Sequence, residues 1–554
     1  MDLSSHLLVI IVALPAAVAL FLVGTGLLLN IIGVRALPEA VWSGVGFGAT
    51  GLTFALVVVG LLLGFDPEQI NPQFVAVAGW SGSSGARMLL GVDGIGLCFI
   101  ASTAGIVPLA MLSSRSEIRE SVRSWVVTCL LLESSLLGVL ASVNFLSFIF
   151  FWSTSLIPIL LWMGRWGGVG RARAAARIWT IELIGLAGLL FVAFVLRELS
   201  LDQLGMATFD LIASPGNLAA NGVSLLDVAV TKSDQWMLFL VLAISLSTRL
   251  PLVPLHFWLP AAHACAPTGL SILLATGFVQ TAALGILRYA LPLFPDAAAA
   301  AGPALSVLGI VALVYASLIA MVQKELKRLV AYTCVGYAGF AVFGISTLNV
   351  QGLTGAVVQL LTHGIATAAL FILIGALALR RGTTEVAAFG GLAKPMPVCA
   401  FFFAVMAFSL IGLPLLGGFV GDLFVLLGSL ETRRELSVVA LMAMVIAASY
   451  LLWVQRRIFL GPVDEPANRG LIDLDRIERS VLLAMMIPIV FIGVYPNPVL
   501  RRVEPAVLEI LNQMETRSAL TDAIEPDSEG DGQADGGVEL VAVPIPKALQ
   551  RGDR

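Results

Sequence analysis

The chain has 554 residues, of which 58% are hydrophobic and only 12% charged, with a mean hydropathy of +0.96. Soluble globular proteins carry about 25% charged residues, so a soluble enzyme or binding module is excluded. The net charge of −4 comes largely from loops and the C-terminal segment, and it gives no basis for nucleic-acid binding.

Apolar windows of about 20 residues recur along the chain, each long enough to cross a hydrocarbon core of about 30 Å. They are too long for barrel strands and do not alternate. Helices satisfy their own backbone hydrogen bonds, so the fold class is an all-α polytopic membrane protein. The first span, 7–32, has neither a basic leading segment nor a clear cleavage site, and reads as a retained span. With 41–65 and 91–113 it makes an N-terminal group, residues 1–120. Spans 121–142, 144–163, 175–196, 236–259 and 267–291 form a group of five (121–291). Spans 302–322, 327–347, 353–379, 397–429 and 436–459 form a second five (302–459). A last span, 480–498, lies in the segment 460–514, and residues 515–554 are acidic and Gly-rich, a disordered tail by composition. Fourteen spans place both termini on one side.

Lys and Arg set the orientation. One set of alternate loops holds Arg115, Arg119 and Arg123, then Arg165 to Arg177, Lys324 to Arg328, Arg380 to Lys394, and Arg456 to Arg479. The other short loops are poor in base apart from Arg433 and Arg434. The first set is expected to be cytoplasmic, in a bacterial inner membrane, with both termini periplasmic.

Two spans are long and interrupted. The seventh reads STRLPLVPLHFWLP, with Arg249, Pro251, Pro254 and His256; the twelfth reads GLPLLGGFVGDLFVLL, with Pro414 and Asp422. They stand five spans apart, which suggests an internal repeat of spans 4–8 and 9–13. Interrupted helices free backbone groups for ions and water. A kink alone needs only the prolines; a kink with a charge at both matching places points to transport, because intramembrane charge is expensive.

The intramembrane polar candidates are few: Glu133 in span 4, Glu182 in span 6, Arg249 in span 7, His256 and His263 at its cytoplasmic edge, His363 in span 11 and Asp422 in span 12. A structural hydrogen bond, a place near the interface, or a packing histidine is the plain alternative for each. They are spread along the chain, unlike a metal site. No HExxH, GxSxG or phosphate loop occurs, and the five scattered cysteines form no CxxC pair. A row of titratable groups across a helix bundle suits a proton or cation path.

Several stretches match one family. VPLHFWLPAAHACAPTGLSILLA (253–275), QKELKRLVAYTCVGYAGF (323–340), GAVVQLLTHGIATAALFILIGAL (355–377) and GLPLLGGFVGDLFVLLGS (412–429) follow in family order. LGVDGIGL (90–97) and IGVYPNPVL (492–500) match the usual start of span 3 and the usual end. Together they resemble the subunit M (chain 4) family of bacterial NADH-quinone oxidoreductase, complex I, over roughly residues 80–500. The resemblance implies two inverted five-helix repeats and proton translocation coupled to electron transfer. It places buried charged residues on spans 5, 7, 8, 11 and 12. It also implies that NADH, FMN, iron–sulfur clusters and quinone are handled by partner subunits, so that this chain is a translocase subunit without redox chemistry or cofactor of its own. Its expected partners are the other membrane-arm subunits and the lipid bilayer. The same family includes antiporter-like subunits of Na⁺/H⁺ antiporters, membrane hydrogenases and inorganic-carbon uptake complexes, and a non-conducting scaffold paralogue is a further alternative.

The carry-over is uneven. The span-5 glutamate position is Ser153, the span-7 lysine is Arg249, the span-8 lysine is Gln280 and the span-10 histidine is Tyr337. His363 survives, and Asp422 replaces a glutamate. A buried lysine can release a proton, whereas arginine keeps its charge. Serine and glutamine do not titrate. The N-terminal half therefore lacks its switchable pair, and Arg249 needs a counter-charge, for which Glu182 or Glu133 is the expected source.

Overall fold

Twelve helices among the described residues are long and apolar enough to cross a membrane. The computed structural model describes residues 3–32, 38–78, 87–212, 223–463 and 466–524. In chain order the first six helices are α1 (Leu3–Ile32), α2 (Glu39–Leu62), α3 (Gly94–Ser114), α4 (Val122–Ala141), α5 (Phe145–Trp166) and α6 (Arg171–Leu204). The seventh place holds two short helices, α7 (Lys232–Ser247) and α8 (Trp258–Cys265). Then come α9 (Thr268–Leu293), α10 (Pro295–Met321), α11 (Leu326–Ile345) and α12 (Val350–Arg381). The twelfth place is again split, into α13 (Pro397–Ile411) and α14 (Gly417–Thr432). The last two spans are α15 (Arg434–Phe459) and α16 (Arg476–Val494), and an amphipathic helix, α17 (Asn497–Ile524), follows.

Local chemistry sets the helix ends. Each helix begins with amide groups that lack intrahelical acceptors. Asp93 takes the Gly96 N–H at 2.6 Å to start α3, Asn144 takes that of Ser147 at 2.9 Å to start α5, and Asn349 takes that of Gly352 at 2.8 Å to start α12. Asp475 and Glu478 form a reciprocal capping box on α16.

The apolar pattern sorts the helices into centre and rim. The apolar window of α12 is entirely buried, wrapped by α9, α11, α13, α14, α16 and α17. Helices α1, α2, α6 and α15 instead leave most of their windows uncovered. Leu20, Phe21, Ile31, Phe194 and Met442 are all more than half exposed, as side chains facing lipid are. A two-stranded antiparallel hairpin, β1 (Gln73–Ala78) and β2 (Met88–Val92), precedes α3, with Val77 opposite Leu89.

One sequence expectation holds and one needs correction. The seventh and twelfth spans are broken as expected: Arg249, Pro251 and Pro254 lie in the irregular segment between α7 and α8, and Pro414 in that between α13 and α14. The expected irregular tail from 515 starts too early. Helix α17 runs to Ile524 because its inner face is anchored. Arg517, 2% exposed, donates to the carbonyls of Leu225 and Val228 at 2.6 and 2.7 Å. Thr521 accepts from Gln235 at 3.1 Å, and Ser518 donates to Asp296. Residues 525–554 lie outside the described residues.

Candidate functional site

The first break is built by proline. Pro251 and Pro254 have no N–H, so α7 cannot continue through them. The freed chain closes in tight turns, with the Arg249 N–H on Leu246 O at 3.1 Å and the Leu252 N–H on Leu250 O at 2.7 Å. Arg249 then projects sideways into the bundle, fully buried. Its Nε donates to Glu182 Oε2 at 3.0 Å, and its Nη2 donates to the Trp152 carbonyl at 2.8 Å and to Ser155 Oγ at 2.9 Å. The Trp152 ring lies 3.6 Å from the guanidinium carbon on one side, and the Phe278 ring lies 4.3 Å away. Such faces attract a cation through their quadrupole.

Glu182 reaches this place because α6 and α7 approach closely. A Cβ on Gly185 would stand 2.5 Å from Thr248 Oγ1 and 3.0 Å from the Ser245 carbonyl, so only glycine fits there. Glu133 is the other expected counter-charge, and the structure does not give it that role. It is fully buried on α4, makes no bond to Arg249, and neither of its oxygens has a hydrogen-bond partner. Ser153 turns away and donates to its own helix, on Phe150 O at 2.8 Å.

The second break forms at Gly412, whose φ of +80° ends α13. Beyond it, Asp422 sits on α14, 3% exposed, and both its oxygens lack hydrogen-bond partners. His363 Nε2 from α12 lies 3.8 Å from Asp422 Oδ1. The other ring nitrogen, Nδ1, is 3.1 Å from the Gln359 carbonyl. A carbonyl only accepts, so Nδ1 carries a hydrogen, and Nε2 is the ring nitrogen that faces Asp422. Tyr337 packs its ring 4.0 Å from that of His363 and donates its hydroxyl to the Leu410 carbonyl, in the last turn before the break. Gln359 Nε2 donates to the Tyr337 carbonyl at 3.2 Å and ties α12 to α11.

Helix α9 touches both sites. It supplies Phe278 to Arg249, and two residues on it supplies Gln280, which lies 3.4 Å from Ser102 Oγ and next to Gly364, the neighbour of His363. Irregular wide turns at Leu274–Phe278 and Ile286–Ala290 flank Gln280. Such turns often mark functional places.

The remaining candidates stand apart. His263 is fully buried and stacks on Phe371 at 4.4 Å, and neither of its nitrogens has a partner. His256 is 7% exposed and lies 5.2 Å from the Tyr315 ring. Both lie inside the protein and away from Arg249 and Asp422.

Comparison with known proteins decides the family. The family model described as "NADH:quinone oxidoreductase/Mrp antiporter, TM" matches residues 142–447, which include both breaks. The chain belongs to this family. NADH-quinone oxidoreductase subunit M of Rhodobacter capsulatus is 33% identical over 510 residues, covering 91% of this chain and 96% of that protein. The subunit M of Pseudomonas aeruginosa is 33% identical over 436 residues, covering 76% and 81%. Among solved structures, a chain of respiratory complex I from Thermus thermophilus superposes with a TM-score of 0.80 at 28% identity, covering 92% of this chain and 99% of that one. A chain of the Mrp complex from Dietzia shares the fold, with a TM-score of 0.76 at 18% identity and coverage of 94% and 100%.

The matched residues include Glu182, Arg249, His363 and Asp422 as well as both breaks. Trp152, Ser155, Phe278 and Gln359 were not candidates from the sequence. The aromatic pair had one available signal: a buried arginine in a lysine place needs flat faces to lie between.

Proposed function

We propose that this chain, a membrane-arm subunit of a complex I-like NADH-quinone oxidoreductase, carries its proton on Asp422 and relays it through His363. One observation carries the reading. At a helix break, a buried aspartate without a hydrogen-bond partner faces the unpartnered Nε2 of a histidine across 3.8 Å. That gap is too long for a hydrogen bond, but a small side-chain rotation or one bridging water closes it. A proton on Asp422 can then pass to Nε2, while the Nδ1 hydrogen stays on the Gln359 carbonyl. Tyr337 packs against the ring, and its bond to Leu410 couples α11 to the break.

The same reading places the arginine-rich loops on the cytoplasmic side and both termini on the periplasmic side of the inner membrane, supported by the bias in loop charge. Spans four to eight and nine to thirteen are then two copies of opposite orientation, with the broken helix fourth in each. NADH, FMN, iron–sulfur clusters and quinone belong to the partner subunits. Relatives named NADH-quinone oxidoreductase subunit M support this assignment.

The test uses the whole complex, purified and reconstituted in liposomes, with protons translocated per NADH oxidised as the readout. Asp422→Asn is expected to lower that ratio while NADH oxidation continues, and Asp422→Glu to restore it. An Asp422→Asn complex with the wild-type ratio would show that Asp422 carries no proton.

A further inference from the structure

We infer that Glu182 and Arg249 form a fixed charge pair that locks the N-terminal half, and that Glu182 is a positioning residue which never carries the translocated proton. This rests on the reading of the chain as a proton-translocating subunit. It goes beyond that reading by assigning the two halves different tasks.

The geometry is that of a cage for one particular cation. Arg249 makes three hydrogen bonds to protein groups and has an aromatic ring on each of two helices against its plane. The bonds come from α5 and α6, the backbone from the segment after α7, and the second ring from α9, so one side chain ties four elements together. A guanidinium is planar, with donors in a fixed fork, and slides between rings; an ammonium is a compact point charge and fills neither requirement. A group that must release a proton at each turnover gains nothing from such a cage. A group that must never release one is best held this way.

The carboxylate has moved to match. Ser153, where the resemblance places a glutamate on α5, bonds to its own helix. The negative charge comes from α6 instead, fully buried at 3.0 Å from Nε. The pair sits at the break of the seventh span, where the chain has lost its regular hydrogen bonds. It holds that break open and electrically neutral. Proton exchange is left to the Asp422 site, where the carboxylate has no fixed partner.

The test compares variants within the complete complex. Glu182→Gln leaves a buried guanidinium without its counter-charge, and the amount of assembled complex should fall about tenfold or more. Ser155 Oγ is 2.9 Å from Nη2, so a carboxylate placed there can serve Arg249 from α5. Ser155→Glu combined with Glu182→Gln should therefore restore assembly. A neutral pair, Glu182→Leu with Arg249→Met, offers a second route to an assembled complex. Any assembled variant without the α6 carboxylate should keep the wild-type number of protons per electron and the wild-type pH profile. Three results would overturn the inference: Glu182→Gln assembling and pumping as wild type, neither double variant regaining assembly, or an assembled double variant with a lower proton ratio or a shifted pH profile. Asp422→Asn run alongside separates the two claims. If it pumps normally, the Asp422 proposal fails and the charge pair is still judged by its own variants.

Discussion

Gly412 is where backbone geometry and the proton site meet, and replacing it with alanine should uncouple them. Its φ is +80°, a region that costs a residue with a Cβ roughly 1–2 kcal/mol. A Cβ there would stand 2.9 Å from Asp422 Oδ2. Relief of that contact needs a carboxylate shift of about 0.5 Å. Misplacement of a reacting group by 1 Å costs about 100-fold in rate, so a half-ångström shift should lower proton translocation roughly tenfold. Gly382 is the control. It also has a left-handed φ, +75° at the end of α12, but a Cβ there would meet nothing within 4 Å. Gly412→Ala and Gly382→Ala should therefore lose similar stability when the solubilised complex is melted. Only Gly412→Ala should lose translocation in liposomes. Equal pumping loss in both variants, or none in an assembled Gly412→Ala complex, would show that the break does not hold Asp422 in place.

Three further outcomes are expected. Asp93 accepts from Arg288 at 2.6 Å and also caps α3, so Asp93→Ala should destabilise the complex more than Asp93→Asn, which can still cap, by about 1 kcal/mol in a melting experiment. Burial pushes the Asp475 carboxyl up, but the Glu478 N–H at 2.7 Å and Arg115 at 2.9 Å outweigh it and hold the group below its ordinary value. A depressed carboxylate stabilises the fold above its unfolded value of about 3.9 and loses that contribution as pH falls through the folded value. The gap in melting temperature between wild type and Asp475→Asn should thus be full at pH 7 and close below about pH 4. Arg517→Met leaves the Leu225 and Val228 carbonyls without their donor, at about 1–3 kcal/mol each if they stay buried, and limited proteolysis should then cut faster around residues 223–231.

The long apolar runs fixed every continuous span in advance, because the bilayer demands length and the backbone demands helices. The two interruptions were legible as well, since Pro251, Pro254 and Pro414 remove donors wherever they fall. The pairing of charges was legible only in part. Depth along a helix made Glu182 and Glu133 equal candidates for Arg249, and it took the approach of α6 to α7 at Gly185 to choose between them. Contacts through ring faces and backbone carbonyls leave no charge pattern, which is why Trp152, Phe278 and the Leu410 carbonyl went unforeseen. The start of the acidic tail was misjudged for a related reason. Residues 515–524 are polar in composition, yet Arg517 and Thr521 face buried partners on a different part of the chain.

That anchoring of α17 bears on how the protein is made. The carbonyls of Leu225 and Val228 and the side chain of Gln235 belong to the first half of the chain, and their partners Arg517 and Thr521 are translated nearly 300 residues later. Arg502 likewise reaches back to the Leu62 carbonyl. During synthesis the early helices insert with these groups still waiting. Those bonds can close only after residue 517 has been made, so the loop at 225–228 is the part of the first half whose buried carbonyls wait longest for their donor.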